Sequence, residues 1–216
     1  MATQDSIENP APPSLPLATT EYERRYQDQY SNVLRLYFNR LQNSLSTLFN
    51  RLGGRFLNFP YGAFQNDATI TLATANTPTL VPMLVTGYAN GMYSVPGDGI
   101  HVQQAGLYNY QFSIQFRNTD TQIHDAFVWL RKNGVDIVDT MSAFSITSRH
   151  GGVDGYVIGA VNFFIDMADG DYVEMWWAAS STQIDMYSIP AISSPYTRPL
   201  SPAVVATLSF VSSLPA

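Results

Sequence analysis

Tyr108-Asn109-Tyr110-Gln111-Phe112-Ser113-Ile114-Gln115-Phe116 alternates apolar and polar residues without a break. Tyr108, Tyr110, Phe112, Ile114 and Phe116 share one face of an extended chain; Asn109, Gln111, Ser113 and Gln115 share the other. A side-chain period of two belongs to a β-strand that buries one face and wets the other. Strands of parallel sheets are covered on both faces and read as unbroken apolar runs, so the alternation specifies an antiparallel sandwich or barrel. The wet face carries amides and a hydroxyl but no charge, which suits contact with another protein chain better than free solvent. The expectation is a β-rich protein that assembles.

Outward from that strand, further short extended runs occupy 68–72, 79–86, 99–103, 126–132, 135–139, 155–166, 172–179, 183–188 and 204–211. Two turns between them are chemically explicit. Asn133-Gly134 accepts the positive φ that a two-residue hairpin turn demands, and Asp169-Gly170 does similar work before the run at 172–179. About ten short strands with no helical pattern between them predict an all-β sandwich.

Upstream the pattern changes. Residues 1–19 hold Pro10, Pro12, Pro13 and Pro16 among Ala, Ser and Thr; such a segment is extended and cannot pack on itself. It is either a frayed terminus or an arm that orders against a neighbouring subunit. Thr20-Glu21-Tyr22-Glu23 fits a capping box, no Gly or Pro follows until Gly53-Gly54, and the spacing predicts a helix over 20–53. At 1.5 Å per residue it would be about 48 Å long. Leu34, Phe38, Leu41, Leu45, Leu48 and Leu52 follow heptad spacing, a candidate trimerising seam. Tyr22, Tyr26, Tyr30 and Tyr37 lie on a second stripe with Val33, a candidate attachment surface. The expected domains are therefore an arm (1–19), a helix (20–53) and a sandwich (60–216).

Charge narrows the function. Only 13% of the 216 residues are charged, about half the usual quarter, a shortage that makes sense if subunits cover much of the surface. From residue 60 onward five basic residues against twelve acids leave a net charge of −7, the wrong sign for nucleic acid, which needs clustered Lys and Arg. The arginines at 24, 25, 35, 40 and 51 are dispersed among acids and aromatics and read as a solvated helix face. There is no cysteine, which excludes disulfides and thiolate zinc sites. No apolar run approaches the roughly 20 residues of a membrane span. The N-terminus lacks the basic and apolar regions of a secretory signal, so synthesis in the cytoplasm is expected.

Chemistry-bearing motifs are missing. No G-x-S-x-G, P-loop, G-x-G-x-x-G or H-E-x-x-H occurs, and His101, His124 and His150 stand far apart. Asp166, Asp169, Asp171 and Glu174 form the one carboxylate cluster. It could hold Ca²⁺, but two of its members flank a turn glycine, where acids are common. Trp176-Trp177 suggests sugar stacking, yet in a strand the two rings point to opposite faces. No catalytic residue, cofactor or metal is expected.

Four segments together resemble a known family. AGLYNYQFSIQF (Ala105 to Phe116), VWLRKNGVDI (Val128 to Ile137), VNFFIDMADGDYVEMWW (Val161 to Trp177) and LSPAVVATLSFV (Leu200 to Val211) come in order and spacing. They are similar to the trimeric jelly roll of complement globular heads and tumour-necrosis-factor ligands, in the version carried by virion proteins of tailed bacteriophages. QYSNVLRLYFNRL (Gln29 to Leu41) also resembles segments preceding such domains in phages of aquatic bacteria. The resemblance implies a homotrimer with aromatic strand faces, Tyr108, Tyr110 and Phe112 among them, at the trimer interface. It further implies a virion protein made in a bacterial host, with other capsid or tail proteins as partners and neither nucleic-acid binding nor membrane insertion. The alternative is a tail-fibre adhesin whose head binds a host receptor or surface glycan. The loops 139–154 and 189–202 have no counterpart in the resemblance.

Overall fold

One α-helix and fourteen strands build the described residues, which in this computed structural model are 11–17, 20–49 and 59–213. The chain divides into two units, Met1–Asn58 and Phe59–Ala216.

In the first unit the chain is extended over 11–17, bends at Thr20 and Glu21, and enters α1 (Arg24–Phe49). The helix starts later than the capping box implies: the Glu23 carbonyl, not that of Thr20, accepts the first helical bond, from the Gln27 N–H at 3.2 Å. The Tyr26 hydroxyl donates to the Pro16 carbonyl at 3.4 Å. The arm is therefore tied to the helix beside it. The Gly53-Gly54 stop lies outside the described residues.

The second unit carries β1 (Tyr61–Asn66), β2 (Ile70–Thr71), β3 (Thr79–Leu80), β4 (Val85–Asn90), β5 (Met92–Val95), β6 (Gly99–Val102) and β7 (Gly106–Asn118). It continues with β8 (His124–Lys132), β9 (Val135–Asp136), β10 (Ser142–Ile146), β11 (Gly155–Met167), β12 (Tyr172–Ala179), β13 (Ile184–Met186) and β14 (Val204–Ser212). All pairings are antiparallel, in two seven-stranded sheets. The principal strands of the first run β1-β14-β7-β11, and those of the second β6-β12-β8-β10. The chain passes between sheets after β2, β3, β4, β6, β7, β10, β11 and β12, the repeated exchange of a jelly-roll sandwich.

Thirteen residues of β7 pair with β11 along one edge, while β14 and β13 share the other. Its inward residues are those of the alternation: Tyr108, Tyr110, Phe112, Ile114 and Phe116 are all at most 1% exposed. Phe116 meets Trp177 of the opposite sheet at 6.4 Å and Phe144 at 5.5 Å between ring centroids. Each such side chain contributes roughly 1.5–3 kcal/mol on full burial. The sheets close along β11, where Gly155 and Gly159 take the place of side chains. A Cβ at Gly155 would stand 1.8 Å from the Thr147 carbonyl oxygen, and one at Gly159 would stand 2.9 Å from the Phe116 and Phe144 rings.

The differences from expectation have local causes. The run at 79–86 splits into β3 and β4 because Pro82 brings no N–H to a ladder. The run at 135–139 shortens to β9: Asp139 takes φ 66°, and the Thr140 hydroxyl, accepting from the Leu130 N–H at 3.1 Å, replaces the backbone partner. β1, β5 and β10 are additional to the expected strands.

The hairpin turn is as expected, with φ 52° at Asn133 and 78° at Gly134. The Asn133 side chain is also anchored, donating to Asp171 at 2.8 Å and accepting from the Tyr172 N–H at 3.0 Å. Gly134→Val places a β-branched residue at positive φ and should lower stability by about 1–3 kcal/mol. Thermal denaturation of the variant measures it, and an unchanged melting temperature would refute the assignment.

Candidate functional site

The residues expected at a trimer interface separate into two groups. Tyr108, Tyr110 and Phe112 have 0%, 1% and 1% exposure within the single chain, so their side chains build the chain's own core and are not available to a partner. This corrects the expectation, and the reason is register. The aromatic set of β7 faces the opposing sheet, which leaves the amide set outside.

The outer face of the first sheet is the better candidate. The pairing register lines up Phe164, Asn109, Ser209 and Tyr61 in one cross-strand row. The next row is Asn162, Gln111, Thr207, Ala63 and Tyr88, and a third is Ala160, Ser113, Val205, Gln65 and Val85. No residue in the three rows is charged. Phe164 (63%), Tyr61 (51%) and Tyr88 (76%) are exposed, and Oδ1 of Asn109 is buried without a donor among the described residues. A surface made of neutral hydrogen-bonding groups and large rings can bury against another chain without desolvating an ion.

Charges gather at the two ends of this face. At one end Arg117 pairs with Asp185, its Nε 3.2 Å from Oδ1, and its guanidinium lies 3.8 Å from the centre of the Tyr187 ring. The Asp185 hydrogen bond raises the Arg117 pKa further. At the other end Lys132 pairs with Asp166 at 3.3 Å.

On the helix, Leu34 and Leu41 are half-buried, while Phe38 is 57% and Leu45 43% exposed. The Leu48 side chain and Leu52 lie outside the described residues. Tyr26, Tyr30 and Tyr37 are half-buried on one stripe, with Tyr26 and Tyr30 stacked at 6.2 Å. Tyr22 precedes the helix and is 81% exposed.

The carboxylate cluster does not converge. Asp166 holds Lys132, and Asp171 accepts from Asn133 and, at 2.8 Å, from the Ala168 N–H. No group of three or more potential ligands able to hold a metal occurs among the described residues. His101 is stacked between Tyr93 and Tyr172, 5.0 Å from each.

One arrangement was not legible in the sequence. Asp120, His124 and Ser180 stand in acid, imidazole, hydroxyl order, with contacts of 2.8 Å and 3.5 Å. The His124 hydrogen bond holds Asp120 below the usual carboxylate range. The Ser180 oxygen, however, accepts from the Asp125 N–H at 3.0 Å, and the Ser180 N–H donates to the Asp125 carbonyl at 2.9 Å. The hydroxyl works as a clamp on the start of β8, and its contact with the imidazole is too long to activate a nucleophile.

No protein-family model matches the chain, and no curated protein matches it.

Glu174 yields a measurable consequence. It is 7% exposed, with Oε2 lacking a donor among the described residues, and burial raises its pKa, with Arg131 opposing. A carboxyl favoured in its neutral form stabilises the fold fully below the unfolded-state pKa. That contribution is lost as pH rises through the folded-state value. Glu174→Gln should therefore melt higher than the parent at pH 7, by about 1 kcal/mol in stability. The advantage should vanish near about pH 4. Melting curves across pH test the sign, and a variant less stable at pH 7 would refute it.

Proposed function

We infer that this chain is a structural virion protein of a tailed bacteriophage. It forms a homotrimer held to the particle by its N-terminal arm and helix, and it displays the jelly roll outward as a head decoration, knob or fibre. The observation that carries the assembly is the uncharged three-row face of the first sheet. The segments that resemble the trimeric family fall on β7, the β8–β9 hairpin, β11–β12 and β14, and the three-fold number and virion setting rest on that resemblance. A second apolar surface supports association: Leu34, Phe38, Leu41 and Leu45 follow the same heptad on α1, two of them exposed.

Sedimentation of the full chain at micromolar concentration should give a three-fold mass with no free monomer. Gln111 is exposed in the single chain, so Gln111→Arg leaves the fold intact while setting three like charges into the contact. It should release monomer with an unchanged far-UV spectrum. A parent protein that sediments as a monomer, or a Gln111→Arg trimer as tight as the parent's, refutes assembly through this face.

Attachment is assigned to the first unit, because a helix with two apolar stripes has more surface than one partner needs. Deleting residues 1–30 should leave a soluble trimer that no longer joins the particle. Incorporation at normal copy number would place attachment on the jelly roll instead.

A further inference from the structure

Between β13 and β14 the chain leaves the sandwich as a loop of its own. Backbone bridges pair Ile189 with Ser201 and Ile192 with Arg198, and the latter pair exchanges bonds of 3.2 Å and 3.0 Å. These bridges hold the loop as a narrow projection against the first sheet. The cleft so formed, about 350 Å³, is lined by Tyr156 of β11, by Tyr187 just beyond β13, and by Ile189, Pro190 and Arg198 of the loop.

Arg198 is distinctive among the cations of the second unit. Of the five, Arg117, Arg131, Lys132 and Arg149 each pair with a carboxylate. Arg198 has no carboxylate partner among the described residues, and its Nε is buried without an acceptor among them. A guanidinium N–H turned away from water with no protein acceptor is costly to maintain, and the cost is recovered when an anion enters. The rest of the cleft defines what accompanies the anion. The Tyr156 and Tyr187 rings stand 6.2 Å apart at 45°, a V rather than the parallel slot that would clamp a flat aromatic between two faces. Tyr156 remains 50% exposed, so a ring resting one face on it keeps its other face and its rim wet. The Arg117 guanidinium over Tyr187 is already committed to Asp185, leaving one uncommitted positive charge in a unit of net charge −7. One negative charge is favoured there; a polyanion is repelled.

We propose that this cleft binds an acidic monosaccharide unit of the hexuronate kind. The sugar's carboxylate sits on Arg198 and its C–H face on Tyr156, with Ile189 and Pro190 forming the apolar wall. The inference does not depend on the assembly reading, because the cleft belongs to one subunit and lies at the Arg117 end of the sheet, beyond the three neutral rows.

Titration calorimetry or ligand-observed NMR on the full chain provides the test. The probes are methyl glucuronide, methyl glucoside, benzoate and an acidic peptide ending in a free carboxylate. Methyl glucuronide should bind in the millimolar range, and methyl glucoside about tenfold more weakly, the loss of one charge-assisted pair. Arg198→Gln should erase that preference. Arg198→Lys, which keeps the charge but not the fork, should retain only part of it. Tyr156→Ala should weaken both sugars together. The Arg198 bridge to Ile192 uses backbone atoms alone, so the Arg198 variants should melt no lower than the parent, and a folded Arg198→Gln protein that keeps the preference overturns the proposal. It is likewise overturned by equal binding of the two sugars, by no detectable binding of either, or by tighter binding of benzoate or the peptide than of the glucuronide.

Discussion

The second unit depends on β7 having both edges paired along its length. With β11 on one side and β14 and β13 on the other, its thirteen residues cannot slip by one position without exchanging the two faces. That exchange would carry Tyr108, Tyr110, Phe112, Ile114 and Phe116 out of the core and bring Gln111 and Gln115 in. Desolvating the amides would cost as much as the lost aromatic burial. The strand therefore fixes the positions of the hydrophobic interior and the neutral exterior together.

Polar side chains finish what the aromatic core begins. Asn118, at the end of β7, is fully buried, and its amide donates to the Gln122 and Ile146 carbonyls at 2.8 Å and 3.3 Å. It also accepts from the Asp120 N–H at 2.8 Å. Asn66 does the same at the end of β1, donating to the Pro82 carbonyl and accepting from the Ala68 N–H. Thr140 closes the ladder beyond β9. Each sits where a strand stops and its backbone groups would otherwise face the core unpaired. Replacing such a residue by an apolar one of similar shape would fill the space and leave those groups without partners.

The legibility of the fold in the sequence follows the same division. Long strands with one buried face announced themselves by alternation, as β7 and β14 did, and Asn133-Gly134 announced its turn by the φ it tolerates. β1 did not, although it lies inside the first sheet: its inward residues are Gly62, Phe64 and Asn66, of which only one reads as core. A Cβ on Gly62 would lie 2.4 Å from the Phe64 ring, so its inward position is defined by a neighbour's bulk and carries no hydrophobic signal. β10 was hidden by the serines of SAFSI. The candidate site was half legible. The absence of charge on the outer face of β7 could be read directly, whereas the rows that extend it across β11, β14 and β1 exist only through long-range register. The placing of Tyr108, Tyr110 and Phe112 at an interface came from the resemblance, whereas the alternation itself puts them on the buried face, where they lie.

The scarcity of charge is not evenly spread, and its placement says more than its amount. Arg117, Arg149, Asp154 and Asp185 form one network, with Arg149 3.5 Å and Arg117 3.9 Å from Asp154. Lys132 of β8 pairs with Asp166 of β11, and Arg131 of β8 with Asp136 of β9. The more exposed of these, Lys132–Asp166 and Arg131–Asp136, add little stability. Their effect is to neutralise charge at the strand ends and keep it off the faces between. A surface arranged in this way can be covered by protein at little electrostatic cost. It also leaves Arg198, alone on its loop, as the cation in the second unit whose charge no neighbouring carboxylate offsets.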